Sequence, residues 1–391
     1  MTAWLQQAQE DEPKRDANDE RWMADLRAAA SQPRPADARE AAMLRSRVQT
    51  ALLALVPAIR RGAMLGPLPP LAPWLAVPLV DTSTDSLYYL AGGQVDCGLQ
   101  SIYQRMADRQ AAFTAEIVGV LASSGIVPLV VKGSELRARL FGGRGLSNST
   151  DVDLLVAADA VEPARRALLS HGLAHADLDV TSGRLIPRTD AEVAAHEQRH
   201  YELYPLCRVA EFPVTPEEAA IAGEADLEPL FVRGGHGRML EVIDLHRTLF
   251  VNVEAATVIS RAVPSVFAGA MTLSPTDHAW TTALRFYLES ASTHDDPKQR
   301  DLAYLAALID EGGIDWDLLV DIVGEADLRP ALFYTLRLLD RLGVGAVPPF
   351  VFNALHVRRG SIFMDFGCRA TRALGHVEEL PALVPVASDE R

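Results

Sequence analysis

Val130-Val131-Lys132-Gly133-Ser134, and seventeen positions later Asp151-Val152-Asp153-Leu154-Leu155-Val156, are the stretches on which the reading of this chain turns. The apolar run 126–131 suits a short buried strand, and Gly125 just before it stops a helix. That helix is read over 102–124 from the helical spacing of Ile102, Met106, Phe113, Ile117, Val120 and Leu121. Lys132-Gly133-Ser134 then opens a second helical stretch, 135–141, which a turn containing Gly142, Gly143 and Gly145 breaks. Polar Ser147-Asn148-Ser149-Thr150 leads into Asp151-x-Asp153 and a hydrophobic strand, followed by a helix over 161–171 that ends at Gly172.

Carboxylates at i and i+2 on a strand point to one face. Like charges held that close repel, and a divalent cation is the usual relief, with hard oxygen ligands selecting Mg²⁺ or Mn²⁺. A third carboxylate from a neighbouring strand would allow two metals about 3.5–4 Å apart, the arrangement for in-line phosphoryl chemistry. Asp244, in Glu241-Val242-Ile243-Asp244-Leu245-His246, is the candidate, because an unpaired carboxylate in so apolar a strand would be costly to bury. Alternation puts Asp244 and His246 on one face and Glu241 on the other. Gly133 and Ser134 would offer backbone N–H groups and a hydroxyl to phosphates at a helix N-terminus.

Outward from this segment, 20–55 reads as helical, interrupted at Gln32-Pro33-Arg34-Pro35. Residues 57–80 carry six prolines and read as a connector rather than a helix. Residues 173–238 mix short strands and loops and include a turn at Gly234-Gly235-His236-Gly237; 239–246 reads as a strand. From 252 to about 342 the chain reads as mostly helical, with Ser274 as an N-cap, Pro275 at the first helical position and Asp277 at the third.

The 391 residues hold 52 Asp and Glu against 37 Lys and Arg, a net charge of −15 that argues against a large nucleic-acid footprint. It leaves room for a small nucleotide whose charge a metal neutralises. Cys97, Cys207 and Cys368 are scattered, which disfavours a disulfide framework or structural zinc. The first residues have no apolar signal core, and no stretch reaches about 18 uninterrupted apolar residues, so the expectation is a cytoplasmic protein without a membrane span.

The motifs Val130-Val131-Lys132-Gly133-Ser134, Thr150-Asp151-Val152-Asp153-Leu154-Leu155-Val156 and Ile243-Asp244-Leu245-His246-Arg247 together resemble the uncharacterised nucleotidyltransferase family of the polymerase-β-type superfamily. The similarity continues through Leu273-Ser274-Pro275-Thr276-Asp277-His278, Asp301-Leu302-Ala303-Tyr304-Leu305 and Gly313-Ile314-Asp315-Trp316-Asp317, so it covers about 100–345. The resemblance implies an α+β fold, a small mixed-sheet nucleotidyltransferase core with helical regions on both sides. The expected division is 1–100 N-terminal helical and Pro-rich, 101–250 nucleotidyltransferase core and 251–391 C-terminal helical domain.

The activity it implies is metal-dependent transfer of a nucleoside monophosphate from an NTP to a small-molecule, peptide or protein acceptor. Asp151, Asp153 and Asp244 would hold Mg²⁺ or Mn²⁺ and do the chemistry, while Lys132, Gly133, Ser134 and Arg144 would hold the nucleotide. Two departures stand out. The family's arginine four residues before the first aspartate is Ser147 here, Arg144 being the nearest, and the helix after Pro275 lacks the second histidine that relatives carry.

Other readings compete. Lys132 reads equally as a phosphate contact or a solvated lysine at a strand end, and His246 as a partner of Asp244 or a satisfied buried histidine. His196 and His200 share a helical face without the glutamate of a zinc-protease motif, and Trp316 reads as a packing anchor at a helix start. The 57–80 stretch lacks a PxxP array with basic flanks. At the level of function, the alternatives are a catalytically silent member serving as a binding protein in a biosynthetic or toxin–antitoxin-like system, and a glycosyltransferase. In the latter the apolar strand precedes Asp-x-Asp, whereas here it follows.

Overall fold

The computed structural model describes residues 17–356 except 64, 82, 94–96, 147–148, 180–181, 200–202, 225–226, 251–252 and 293–298. The chain is a mixed α/β protein, a mixed sheet with helical regions at both ends. It divides into two compact units, Met1–Val95 with Thr282–Gly312 and Asp327–Arg391, and Asp96–Thr281 with Gly313–Ala326.

The first unit is helical. Helices Ala17–Ala30 and Ala38–Ala54 flank the Pro33-Arg34-Pro35 break, and Asp37 caps the second by accepting from the Arg39 amide at 2.8 Å. The stretch 57–80 is not a connector throughout: helices Val56–Arg60 and Pro73–Asp81 lie in it. Pro57 sits in the first turn of one and Pro73 begins the other, where a missing N–H costs nothing and the fixed φ is already helical. Only 61–72 runs between them, and Pro69 O there accepts from Tyr88 Oη at 2.5 Å. Asp310, on helix Arg300–Glu311, pairs with Arg60 and Arg61 at 2.7 and 2.6 Å.

The second unit is built on the sheet. Its strands are β1 (Leu129–Val131), β2 (Val152–Leu155), β5 (Leu206–Glu211), β6 (Leu230–Arg233), β7 (His236–His246), β8 (Val263–Pro264) and β9 (Met271–Thr272); β3 (Ala176–Asp179) and β4 (Arg184–Pro187) form a separate hairpin. The order is β5-β7-β2-β1-β9-β8, with β6 also on β7. β1 runs antiparallel to β2 and parallel to β9, and β2 runs parallel to β7. Gly234 and Gly235 turn β6 into β7 with φ of 56° and 80°, left-handed values that a two-residue hairpin of this twist demands and glycine meets without strain.

One face of the sheet is apolar. Val152, Leu154, Ile243 and Leu245 pack with Phe113, Ile117, Val118 and Leu121 of helix Cys97–Ser123 and with Ala164 and Leu168 of helix Val161–Ser170. The alternate residues of β2 and β7 therefore face away from this core, Asp153, Asp244 and His246 among them. The two-residue strands β8 and β9 interrupt a region whose composition reads as helical, being too short to carry an alternating pattern. Among the described residues, no helix is long and apolar enough to cross a membrane.

Candidate active site

The site begins where β1 becomes a helix. Val131 is extended, Lys132 takes a left-handed φ of 55°, and helix Lys132–Phe141 starts there with no cap from the Val131 side chain and, among the described residues, no side chain bonded to the Gly133 and Ser134 amides. The left-handed region is costly for a residue with a Cβ, and such strain gathers at functional positions. An uncapped helix N-terminus leaves its N–H groups for an anion. Ser134, in that first turn, has a buried hydroxyl without a hydrogen-bond partner among the described residues. Glu135 anchors the same turn: it accepts from Ser265 Oγ at 2.6 Å and Arg139 Nε at 3.0 Å. Burial raises the Glu135 carboxyl above the usual range against the pull of these donors.

Register brings the acids together. Val131 pairs with Asp153 across the antiparallel β1–β2 edge, and Asp153 pairs with Asp244 across the parallel β2–β7 edge. Paired residues share a face, so Asp153 and Asp244 stand side by side although 91 positions apart, with His246 one step further along β7. Asp153, Asp244 and His246 each offer a donor atom within 4.8 Å of the others. His246 Nε2 lies 2.8 Å from Asp153 Oδ1, and Lys132 Nζ lies 2.5 Å from that same oxygen and 3.4 Å from the ring nitrogen. Burial alone would raise the Asp153 carboxyl; the Lys132 ammonium and the His246 ring overcome it and hold the group well below the carboxylate range. His246 Nδ1 is buried without a partner among the described residues.

The expected residues are thus not all in one place. Asp151 precedes β2, is half-buried, and does not enter the group of three; its main-chain carbonyl accepts from Gln110 Nε2 at 2.7 Å. Arg144 lies past the other end of the helix that Gly133 and Ser134 open, its Nε donating to Phe141 O at 2.9 Å, and burial lowers its pKa. That end is about 15 Å along the axis from the uncapped amides. Ser147 and His200 lie outside the described residues. His196 packs edge-on against Tyr204, ring centres 5.1 Å apart. Trp316 opens helix Trp316–Glu325 behind the N-cap Asp315, as its sequence context implies. Ser274 caps helix Pro275–Ser292 as expected: its Oγ accepts from the Asp277 amide at 3.1 Å.

Sequence reasoning missed the supports. Gln110 is buried on helix Cys97–Ser123, holds the carbonyl of Asp151, and accepts from buried Arg137 at 2.9 Å. On the core face of β7, buried Glu241 lies between Arg109 Nε at 2.5 Å and Arg208 Nε at 2.6 Å, and Arg208 also pairs with Glu116. A glutamate within an apolar strand was the available signal, since such a group is buried only with partners.

Two carboxylates and an imidazole converging from adjacent strands suit a divalent ion. Lys132 already seats on Asp153, so its ammonium and an ion would share one carboxylate oxygen.

Residues 78–343, which contain every side chain of this site, match the family described as uncharacterised nucleotidyltransferase. No curated protein and no solved structure gives a significant match. The match runs over well more than half of the sequence, and on that footing the chain belongs to the uncharacterised nucleotidyltransferase family.

Proposed function

We propose that this protein is a metal-dependent nucleotidyltransferase of the polymerase-β type, moving a nucleoside monophosphate from an NTP to a small-molecule, peptide or protein acceptor. The observation that carries the reading is the convergence of Asp153, Asp244 and His246 beside an uncapped helix N-terminus. Asp153, Asp244 and His246 would hold Mg²⁺ or Mn²⁺, with Asp151, two residues before Asp153, as a further ligand. A bound ion supplies charge neutralisation at the phosphates. The amides of Gly133 and Ser134 and the Ser134 hydroxyl receive the phosphates, joined by Lys132.

In the reaction an acceptor oxygen or nitrogen attacks the α-phosphorus. The new bond to phosphorus forms as the bond to the bridging α–β oxygen breaks, pyrophosphate leaves with that electron pair, and Asp244 takes the acceptor proton. The sheet register sets the two acids side by side, and His246 and Lys132 hold the Asp153 carboxylate.

The test is pyrophosphate release from each of the four common NTPs with Mg²⁺ or Mn²⁺, for the wild type and for Asp153→Asn and Asp244→Asn. Loss of turnover in both variants with the fold retained supports the reading; equal turnover removes it. The Lys132–Asp153 contact favours one rival, a catalytically silent binding protein in which the ammonium permanently replaces the ion. That rival requires no Asp153-dependent ion binding at all.

A further inference from the structure

Lys132 and His246 both end on one atom, Asp153 Oδ1. That carboxylate is buried, with 5% of its side chain exposed, whereas 28% of the Lys132 side chain is exposed. The acid is fixed and the ammonium, on a flexible four-carbon stem, has room to move. An ammonium and a dication repel strongly when they share one carboxylate oxygen in a poorly solvated site. Immediately after Lys132 in the chain come the uncapped amides and the unpartnered Ser134 hydroxyl, where an anion would offer the ammonium a new counter-charge. The left-handed backbone at Lys132 places its side chain at this junction of acid and helix.

We infer that Lys132 is a resident counter-cation of Asp153 that a divalent ion must displace, and that a triphosphate at the helix N-terminus receives the displaced ammonium. The inference rests on the proposed metal-dependent reading of the same site and adds a regulatory consequence to it. Ion and triphosphate bind as a coupled pair, each strengthening the other, because the same side chain blocks the one and attracts the other. Such coupling is reciprocal and commonly amounts to about 5–150-fold. The device keeps the site charge-balanced without its ligands and loads the ion when a triphosphate is present.

The experiment measures Mn²⁺ affinity by calorimetry or by the EPR signal of free Mn²⁺, with and without inorganic tripolyphosphate, the protein-free Mn²⁺–tripolyphosphate equilibrium being measured separately and subtracted. The proteins are the wild type, Lys132→Met, Lys132→Gln and Asp153→Asn, the last giving the background to subtract. Without tripolyphosphate, Lys132→Met and Lys132→Gln bind Mn²⁺ about tenfold more tightly than the wild type. Tripolyphosphate strengthens Mn²⁺ binding in the wild type by a larger factor than in either variant. Lys132→Gln keeps a hydrogen-bond donor to Asp153, so it reports even if Lys132→Met fails to fold. Equal or weaker Mn²⁺ binding in the variants, with binding still dependent on Asp153, overturns the counter-cation role and leaves the metal reading intact. Absence of Asp153-dependent Mn²⁺ binding in every protein overturns both.

Discussion

Gln110→Ala tests whether the supports behind the acids matter as much as the acids. Gln110 is 4% exposed; its Nε2 donates to Asp151 O at 2.7 Å and its Oε1 accepts from Arg137 Nη2 at 2.9 Å. The first bond is neutral and worth about 1 kcal/mol, and the second involves a guanidinium and is worth about 1.5–3 kcal/mol. Truncation to alanine removes both, so the expected loss is about 3 kcal/mol, or about 6–12 °C in the melting of a unit this size. Gln110→Glu separates the two effects. It keeps an acceptor for Arg137 but turns an acceptor oxygen toward the Asp151 carbonyl, which frees the residues leading into β2. Its stability should fall less than that of Gln110→Ala while its pyrophosphate release falls as far, through kcat rather than KM. Calorimetry and turnover on the two variants read this directly. If Gln110→Ala melts within about 1 °C of the wild type, the claim that helix Cys97–Ser123 holds the acidic loop is wrong.

Two further predictions probe single groups. Ser134→Ala removes a buried hydroxyl without a partner, so it should leave melting unchanged or slightly raised while weakening triphosphate binding, read by calorimetry with tripolyphosphate. A clear drop in melting temperature would show that the hydroxyl is satisfied within the fold. His278 is fully buried, and burial lowers its pKa from 6.5 to about 3. Because the folded value lies below the unfolded one, its contribution is present above about pH 6.5 and is lost as the pH falls toward 3. Melting curves across that window should fall more steeply for the wild type than for His278→Gln; parallel curves would contradict the assignment.

How much of this was legible depends on whether the cause is local. The strand–Gly-Ser–helix and Asp-x-Asp-Leu-Leu segments declare themselves, because alternation and glycine punctuation act within a few residues, and β1, β2 and β7 form where the pattern places them. Alternation also put His246 beside Asp244, although its contact is with Asp153 on the neighbouring strand. Pairings across strands were not legible. The parallel register of β2 and β7 makes neighbours of Asp153 and Asp244, and nothing in a 91-residue separation specifies it. The antiparallel register of β1 and β2 turns Lys132 toward Asp153, where the sequence left it equally a phosphate contact or a solvated lysine. For Asp151 the i, i+2 rule does not by itself set the face. The rule holds only if both residues lie in the strand, and β2 starts at Val152. Proline misled at 57–80 because its effect depends on position: Pro57 and Pro73 sit in the first turn of their helices, where a missing N–H costs nothing, while Pro78 lies further into the second.

Asp153, Asp244 and His246 are together expected to hold one divalent ion. Pulsed EPR of the Mn²⁺-loaded protein tests it most directly, since a coordinated imidazole imprints nitrogen modulation on the Mn²⁺ signal. The expected result is ¹⁴N modulation that His246→Gln removes, and loss of bound Mn²⁺ in Asp153→Asn and Asp244→Asn. Bound Mn²⁺ without nitrogen modulation, or Mn²⁺ retained by both aspartate variants, would contradict it.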